Sequence, residues 1–498
     1  MGQEVVTDRL LRSWLRCKRR AWLDRHGDQA QRQWTAHRAL ALSDQLRSFQ
    51  SLLPQKPGHG EAAAVAAAPG VVGLRLAGVT DGLRLEAHPA LLERVQGPSV
   101  WGEHAYRPVL GRQGRNLTRE HRLLLALWGR LLAERQQAPV PHALVVAGDG
   151  QGLQQERLAL GGGLQRQLDE ALQRLAAELE RSSPPPLVAD RKKCVLCSWR
   201  GVCDREAAAA GHLSEVSGIG GKRREMLLEL GIESLPQLAG TDPAWLAEEL
   251  AVHGEQHREI AGQLVAQARV QAAGAPERLP PQPGQGQRDL LPELATAPGV
   301  LLYDIESDPD ARDDFLHGFV LVQRDAAGAW PLADPAAMAQ WRYIPLLARL
   351  EHGEERLWRR LQALLARYPG WPLLHYGETE AISLVRLAQR MGARESELAA
   401  LRGRLIDVHA RLRQGWRLPV NSYGLKAVAS WRGFRWSQSG VDGARCLLWW
   451  RQWRHDWGTR PQPANPAGAR RALERIFTYN RDDNLATWAV TRWLLDQA

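Results

Sequence analysis

Carboxylates in this chain recur at spacings that could hold metal ions. The segment GVLLYDIESDPD sets Asp304 and Glu306 two residues apart, just after the apolar β-formers at 300–303. Side chains alternate along a strand with period two, so both carboxylates point to one face and can share a divalent cation. Near the other end, ALERIFTYNRDDNLATWAVTRWLL reads as a helix with Tyr479 and Asp483 four residues apart on one face, while Asp482 points away. Between them, WPLLHYGETEAISLVRLAQRMG reads as an apolar strand, a short loop and a helix, which puts Glu378 and Glu380 at the strand-to-helix junction. Hard cations such as Mg²⁺ or Mn²⁺ take oxygen ligands, and carboxylates supply them.

The thiols form a second set. Cys194, Cys197 and Cys203 lie within DRKKCVLCSWRGVC as C-x2-C-x5-C, Cys17 stands alone near the N-terminus, and Cys446 is the odd one out. Five cysteines in 498 residues are too few for a disulfide scaffold. Two thiolates in C-x2-C can converge on one ion or cluster edge, and a third a few residues later can close another vertex. Cys17 is the candidate fourth, because SWLRCKRRAWLDRHG reads as one amphipathic helix able to dock beside the later loop.

The elements that must position these groups fall into three textures. Residues 1–206 mix helix and strand: basic-amphipathic helix to about Leu53, a strand pair turning at Thr80-Asp81-Gly82, a strand in SVWGEHAYRPVL, the helix REHRLLLALWGRLLAER, a hairpin, and a long helix stopped by SSPPP. Residues 207–272 are helical only, broken by glycines. Gly218 and Gly220 flank Ile219 between two apolar-periodic segments, with Lys222 and Arg223 just beyond, a pattern suited to a helix-hairpin-helix whose backbone approaches a phosphate. Residues 273–294 include the Pro-, Gly- and Gln-rich stretch AGAPERLPPQPGQGQRD and read as a linker; residues 295–498 return to α/β. The expected architecture is thus α/β and multidomain, with a small all-α module between two α/β domains.

Length agrees, since 498 residues exceed what one core usually serves. Hydrophobic content of 44% with 24% charged residues suits a soluble globular chain, and no apolar run approaches the roughly 18 residues a membrane span needs. The N-terminus also lacks an apolar signal core, so the expectation is a cytoplasmic protein with no membrane partner. A net charge of +10, carried chiefly by arginine, favours a nucleic-acid partner, although a coding bias toward arginine would produce the same excess.

The C-terminal residues resemble the DEDD exonuclease superfamily, with its ribonuclease H-like fold, in the variant ending in Tyr-x3-Asp. The resemblance implies Asp304, Glu306, Glu380 and Asp483 as ligands of two Mg²⁺ or Mn²⁺ ions about 4 Å apart that catalyse phosphodiester hydrolysis. It implies Tyr479 as the residue that helps orient the attacking water. The second motif normally ends in Asp; here Glu380 is the best match, with Glu378 as its rival. Asp407, in RLIDVHARL, matches a helix or loop support.

With the cysteines included, nearly the whole chain resembles a bacterial family of RecB-like nucleases, in which an iron–sulfur-linked RecB-like (PD-(D/E)xK-type) domain is fused to a ribonuclease H-like exonuclease. That resemblance implies Cys17, Cys194, Cys197 and Cys203 as ligands of a [4Fe-4S] cluster, with a structural zinc as the alternative. An active RecB-like site also needs an Asp and, one strand later, acid-x-Lys. Asp81 fits the first, but Leu110-Gly111-Arg112 stands where acid-x-Lys is expected, Glu103 has no lysine two residues on, and arginine cannot serve as a base. The N-terminal domain is therefore expected to be a degenerate nuclease that binds DNA, with His37 as a solvated helix position. The leading expectation is a 3′–5′ exonuclease on single-stranded or frayed DNA, in repair or processing. RNA as substrate, and a non-catalytic nucleic-acid-binding scaffold, are the alternatives.

Overall fold

A computed structural model of the protein describes residues 5–112, 116–149, 152–188, 191–280, 289–309, 313–349, 353–458 and 466–497. Two compact units emerge, Met1–Glu206 and Ala207–Ala498.

In the first unit Val5–Thr7 (β1) leads into Asp8–Arg16 (α1), whose start is capped by the Thr7 hydroxyl accepting from the Leu10 amide. The single helix expected around Cys17 is instead two. Cys17 takes an extended φ of −165°, and Lys18–His26 (α2) starts afresh after it. An unbroken helix would stack Arg16 on Arg20 at i,i+4, a like-charge pair that the break avoids. Ala36–Leu52 (α3), Gly58–His59 (β2), Gly60–Val65 (α4) and Gly70–Val72 (β3) follow. Leu76–Thr80 (β4) and Leu83–Ala87 (β5) then form the hairpin, with Asp81 and Gly82 both at positive φ, as a tight turn of that hand requires.

Leu91–Ser99 (β6), which the sequence pattern did not single out, pairs with Gly102–Gly111 (β7). Arg119–Gln136 (α5) crosses to His142–Asp149 (β8), parallel to β7, and Gly152–Ala159 (β9) and Gly162–Leu179 (α6) complete the layers. Two sheets result, β1-β5-β4 and β2-β3-β6-β7-β8-β9. The core lies between them and α5, where Leu123, Leu124, Leu125, Leu127, Leu131 and Leu132 are all buried. Each such side chain contributes about 1.5–3 kcal/mol by leaving water. After α6, a short turn at Lys192–Leu196 carries the clustered cysteines into Arg200–Ala209 (α7).

The second unit opens with helices alone: Gly221–Glu229 (α8), Leu235–Gly240 (α9), Pro243–Ala251 (α10) and Glu255–Ala273 (α11) share a core of Leu227, Leu238, Leu246 and Val265. The stretch read as a linker is not wholly free of regular structure. It contains Glu277–Arg278 (β10) and the start of Glu293–Thr296 (α12), while residues 281–288 lie outside the described residues.

Gly299–Asp308 (β11), Asp313–Gln323 (β12), Pro335–Met338 (α13), Tyr343–Leu347 (β13), Glu354–Arg367 (α14), Leu373–His375 (β14), Glu378–Arg390 (α15), Glu395–Arg404 (α16) and Leu405–Asp407 (β15) follow in order. The strands make one sheet, β13-β12-β11-β14-β15, antiparallel from β11 outward through β12 and β13 and parallel through β14 and β15. Val408–Gly415 (α17), Trp416–Arg417 (β16), Leu425–Trp431 (α18), Gly443–Trp453 (α19) and Pro466–Asp496 (α20) end the chain, and β16 pairs with β10.

Alternation along β11 sorts the layers. Val300 and Leu302 enter the core shared with α17, α18 and α20, whereas Leu301 and Tyr303 enter the core shared with α14, α15 and α16. Between Tyr479 and Thr491, every residue of α20 except Arg481 is buried. Within the helix, Asn484 Nδ2 donates to Asn480 O at 3.0 Å and the Thr487 hydroxyl to Asp483 O at 3.1 Å, so burial leaves these donors satisfied. Among the described residues, no helix is long and apolar enough to cross a membrane.

Candidate metal centre

The parity that sends Val300 and Leu302 toward α20 sends Asp304 and Glu306 the same way. A register shift between Glu306 and Ser307 interrupts the β11–β12 pairing just past the second carboxylate. From α20, Asp483 reaches the same point, so Asp304, Glu306 and Asp483 each offer an oxygen within 4.8 Å of the others. Glu306 and Asp483 are buried.

Each of these carboxylates is held by a named donor. Asn480 Nδ2 donates to Asp304 Oδ2 at 2.6 Å, and Asn480 Oδ1 accepts from the Tyr343 hydroxyl at 2.9 Å. The Trp436 indole donates to Asp483 Oδ1 at 2.7 Å, and the Tyr479 hydroxyl also bonds to Asp483. The Cys446 thiol, fully buried on α19, hydrogen-bonds to Glu306. Lys426 donates to Val441 O at 2.6 Å, with its ammonium 5.0 Å from the Tyr479 ring centre, and its charge favours ionised Glu306 and Asp483. Asp482 faces elsewhere and accepts from the Ser437 amide and hydroxyl.

Electrostatics show what the cluster lacks. Burial, then repulsion from Asp483, Glu306 and Glu380, holds Asp304 well above the usual carboxylate range. Burial and Asp483 push Glu306 up to about 8. Burial raises Asp483 to about 6, against the opposing pull of the Trp436 hydrogen bond and Lys426. Burial and neighbouring carboxylates drive the Tyr479 phenol far upward, so it stays a donor. Three carboxylates that repel one another, two of them buried, are what a divalent cation relieves, and an all-oxygen donor set suits a hard ion. The residues present therefore fit a Mg²⁺ or Mn²⁺ centre.

Glu380 stands apart from this trio. It opens α15, whose apolar face packs in the other core layer, and it approaches the site from the end of β14, parallel to β11. Its Oε2 is buried with no hydrogen-bond partner among the described residues, and burial followed by repulsion from Asp407 and Asp483 raises it to about 7. Glu378, two residues earlier, is exposed. Asp407 caps α17, accepting from the His409 and Ala410 amides, and also takes the Gly377 amide at 3.0 Å, which shapes the loop that delivers Glu380.

Residues 301–495 match the RNase_H_2 family model, of the RNase H superfamily. No curated protein matches the chain. The match runs from β11 into α20 and takes in Asp304, Glu306, Glu380, Tyr479 and Asp483. The C-terminal part is an RNase H-like domain, which fits nuclease-type chemistry and implies a nucleic-acid partner.

Sequence reasoning did not reach Asn480, Trp436, Lys426, Cys446 or Tyr343. Asn480 carried a signal, since it adjoins Tyr479 on α20 and precedes Asp483 by three positions. Cys446 stood out only as a cysteine without companions. Of the residues read as phosphate-binding, Gly218 has a φ of 93°, Gly220 precedes α8, and Lys222 and Arg223 lie in its first turn. Arg223 Nη1 is tied back to Gly218 O at 2.7 Å, and the element before this turn is a single three-residue 3₁₀ turn, Leu213–Glu215.

In the N-terminal unit, Cys17, Cys194, Cys197 and Cys203 are half-buried free thiols. Burial raises Cys194 to about 11, and repulsion from Cys197, Cys17 and Cys203 contributes, so the four lie within electrostatic reach. Among the described residues, no three of them bring their sulfurs within 4.8 Å of one another. Asp81 occupies the β4–β5 turn in the three-stranded sheet, whereas Leu110 and Gly111 end β7 in the six-stranded one. Three strands, not one, separate Asp81 from that point.

Proposed function

We propose that the C-terminal domain is a metal-dependent nuclease that hydrolyses phosphodiester bonds in DNA as a 3′–5′ exonuclease on single-stranded or frayed ends. The observation that carries this reading is the convergence of Asp304, Glu306 and Asp483 within 4.8 Å inside an RNase H-like domain. Asp304, Glu306 and Asp483 would hold the ions, with Glu380 as the fourth carboxylate. When bound, Mg²⁺ or Mn²⁺ supplies water activation and stabilisation of the leaving oxygen. Asn480 fixes Asp304, Trp436 fixes Asp483, and Tyr479, protonated beside Asp483, positions the water by donating or accepting through its hydroxyl. Lys426 offsets part of the carboxylate charge. The role proposed is DNA repair or processing.

For the N-terminal unit we propose a RecB-like fold without a working nuclease site. The separation of Asp81 from the end of β7 supports this, as does Arg112 where a lysine would be needed. Cys17, Cys194, Cys197 and Cys203 would hold a [4Fe-4S] cluster. Gly218, Gly220 and Lys222, with the α8 amides, are proposed as a helix-hairpin-helix contact to the strand.

Purified full-length protein with Mn²⁺ and end-labelled DNA and RNA oligonucleotides tests the reading. Cleavage from the 3′ end of DNA that disappears in Asp304→Ala supports it. No cleavage of any substrate would leave a non-catalytic nucleic-acid-binding protein and sink the proposal.

A further inference from the structure

Glu380 enters the metal centre from a turn that is tied, through a loop, to a helix of the all-α module. Its Oε2 rests against the backbone of Gly377, where a Cβ would stand 3.8 Å away, and Gly377 takes a φ of 113° that favours glycine. Whatever fixes Tyr376 and Gly377 therefore fixes the direction from which this carboxylate arrives. Two ties come from the sheet: the Gly377 amide donates to Asp407 Oδ1 at 3.0 Å, and Gly377 O lies 2.6 Å from His375 Nδ1. A third comes from elsewhere, for the Tyr376 hydroxyl donates to Tyr423 O at 2.7 Å.

Tyr423 lies between β16 and α18, and its own side chain closes a ring of hydrogen bonds with α11. The Leu418 amide donates to the Tyr423 hydroxyl at 2.8 Å, that hydroxyl donates to Gln267 Oε1 at 3.3 Å, and Gln267 Nε2 donates to Leu418 O at 2.9 Å. Gln267 is buried, so both ends of its amide are spent on one short loop. A buried amide is costly unless its donor and acceptor are paired, and here the pairing admits one position of residues 418 and 423. One turn further along α11, Gln271 holds the start of the module in the same way, accepting from the Ser217 amide at 3.2 Å and donating to Glu215 O at 2.7 Å. Asn421, inside the loop, reaches back to Glu215 Oε2 at 2.8 Å.

We infer that Gln267 and Tyr376 are positioning residues for Glu380: α11 clamps the 418–423 loop, and the loop holds the turn from which the carboxylate reaches the metal centre. The inference rests on the reading of Glu380 as the fourth carboxylate. It gives the all-α module a part in the metal centre that is separate from any contact with a nucleic-acid strand.

Hydrogen exchange of the full chain in EDTA reads the clamp without metal or cleavage. Tyr376→Phe and Gln267→Leu should each speed exchange in a peptide spanning residues 374–381 by about 3- to 10-fold, while α20 exchanges as in the parent. The double variant should exchange no faster there than Tyr376→Phe alone, because both substitutions act through one tie. Unchanged exchange in a Gln267→Leu protein that melts normally overturns the share of α11, and unchanged exchange in Tyr376→Phe overturns the proposal.

Cleavage rates test where the clamp leads. Tyr376→Phe should lower kcat about tenfold, the low end of what a ligand's supporters cost, with KM unchanged, and should cost nothing further in Glu380→Gln. A loss that adds in full to that of Glu380→Gln overturns the positioning role. A Glu380→Gln protein that cleaves at the parental rate refutes Glu380 as the fourth carboxylate, and with it the clamp's catalytic purpose, whereas faster exchange in the two variants would still show the clamp itself.

Discussion

Asn480 Nδ2 donates to Asp304 Oδ2 at 2.6 Å, and the same amide accepts from Tyr343 at 2.9 Å, so a side chain with no solvent exposure orients a carboxylate of the cluster. A ligand's hydrogen-bonded supporter fixes its direction, and losing one typically costs about 10–100-fold in metal affinity. Asn480→Leu should therefore weaken Mn²⁺ binding in that range, read by titration with paramagnetic-resonance detection of free Mn²⁺. Affinity equal to that of the parent in a folded variant would reduce the amide to a packing role.

Gly318 makes that amide's position possible. It pairs with Asp304 across β11 and β12, and a Cβ there would stand 1.6 Å from Asn480 Oδ1 and 2.9 Å from the Tyr343 oxygen. Replacing glycine by alanine at an unstrained site stabilises by about 0.4–1 kcal/mol, but overpacking costs about 1–3 kcal/mol. Since Asn480 is itself buried in α20, it cannot swing away, and the clash should win. Gly318→Ala should lower denaturant stability by about 1–3 kcal/mol and weaken Mn²⁺ binding as Asn480→Leu does. A variant as stable as the parent would show that the helix yields.

What could be read in the sequence was local. The apolar run before Asp304 announces a strand, period two puts Glu306 on its face, and the four-residue step from Tyr479 to Asp483 announces a helical face. Helix periodicity also gave α5, α6 and the texture of α8–α11. The long-range contacts carried no such mark. Nothing in SYGLKAVASWRGFRW says that Lys426 and Trp436 meet Asp483, because that depends on how α18 and its following loop cross α20. The break at Cys17 was hidden for the opposite reason: its neighbours keep helical spacing on both sides, and only the backbone shows two helices. Strand β6 escaped notice because Glu93, Arg94 and Gln96 interrupt its apolar pattern, and its partner β7 supplies the regularity.

The junction after β14 offers two glutamates with different fates. Glu380 has a buried oxygen with no hydrogen-bond partner among the described residues and responds to Asp483, whereas Glu378 is exposed. Glu380→Gln should slow cleavage roughly 100-fold or more, because each ~1.4 kcal/mol is tenfold and ion-borne charge stabilisation is worth several kcal/mol. Glu378→Gln should leave the rate unchanged. Steady-state rates on a labelled oligonucleotide decide, and the reverse ranking would move the fourth ligand to Glu378.

The N-terminal thiols make a separate prediction. If the proposed cluster is held there, protein purified without oxygen should be brown, and Cys194→Ser should bleach it and lower the melting temperature of the first unit, since the cluster would tie a loop near residue 197 to the α1–α2 junction. A colourless parent holding one zinc ion would replace the cluster with a structural zinc site.

The acids of the metal centre also set a pH dependence, and its sign follows from their shifts. Asp483 rises from 3.8 to about 6 and Glu306 from 4.5 to about 8, each mainly by burial. A carboxyl raised in the folded state holds its proton more tightly there than in the unfolded chain. Its contribution to stability is therefore full below the unfolded value and is lost as pH climbs through the folded one. In EDTA the melting temperature of the second unit should fall between about pH 4 and pH 8, as these two groups ionise against each other. A divalent ion binds the ionised form, so it releases protons and its affinity rises across the same window. Saturating Mn²⁺ should then raise the melting temperature more at the alkaline end than at the acid end. Calorimetry in a pH series measures both curves. A metal-free melting temperature that stays level, with a pH-independent Mn²⁺ increment, would mean that these carboxylates do not ionise together at the ion's site. Loss of the alkaline destabilisation in Asp483→Asn would assign the effect to the pair, because that substitution removes the charge that Glu306 opposes.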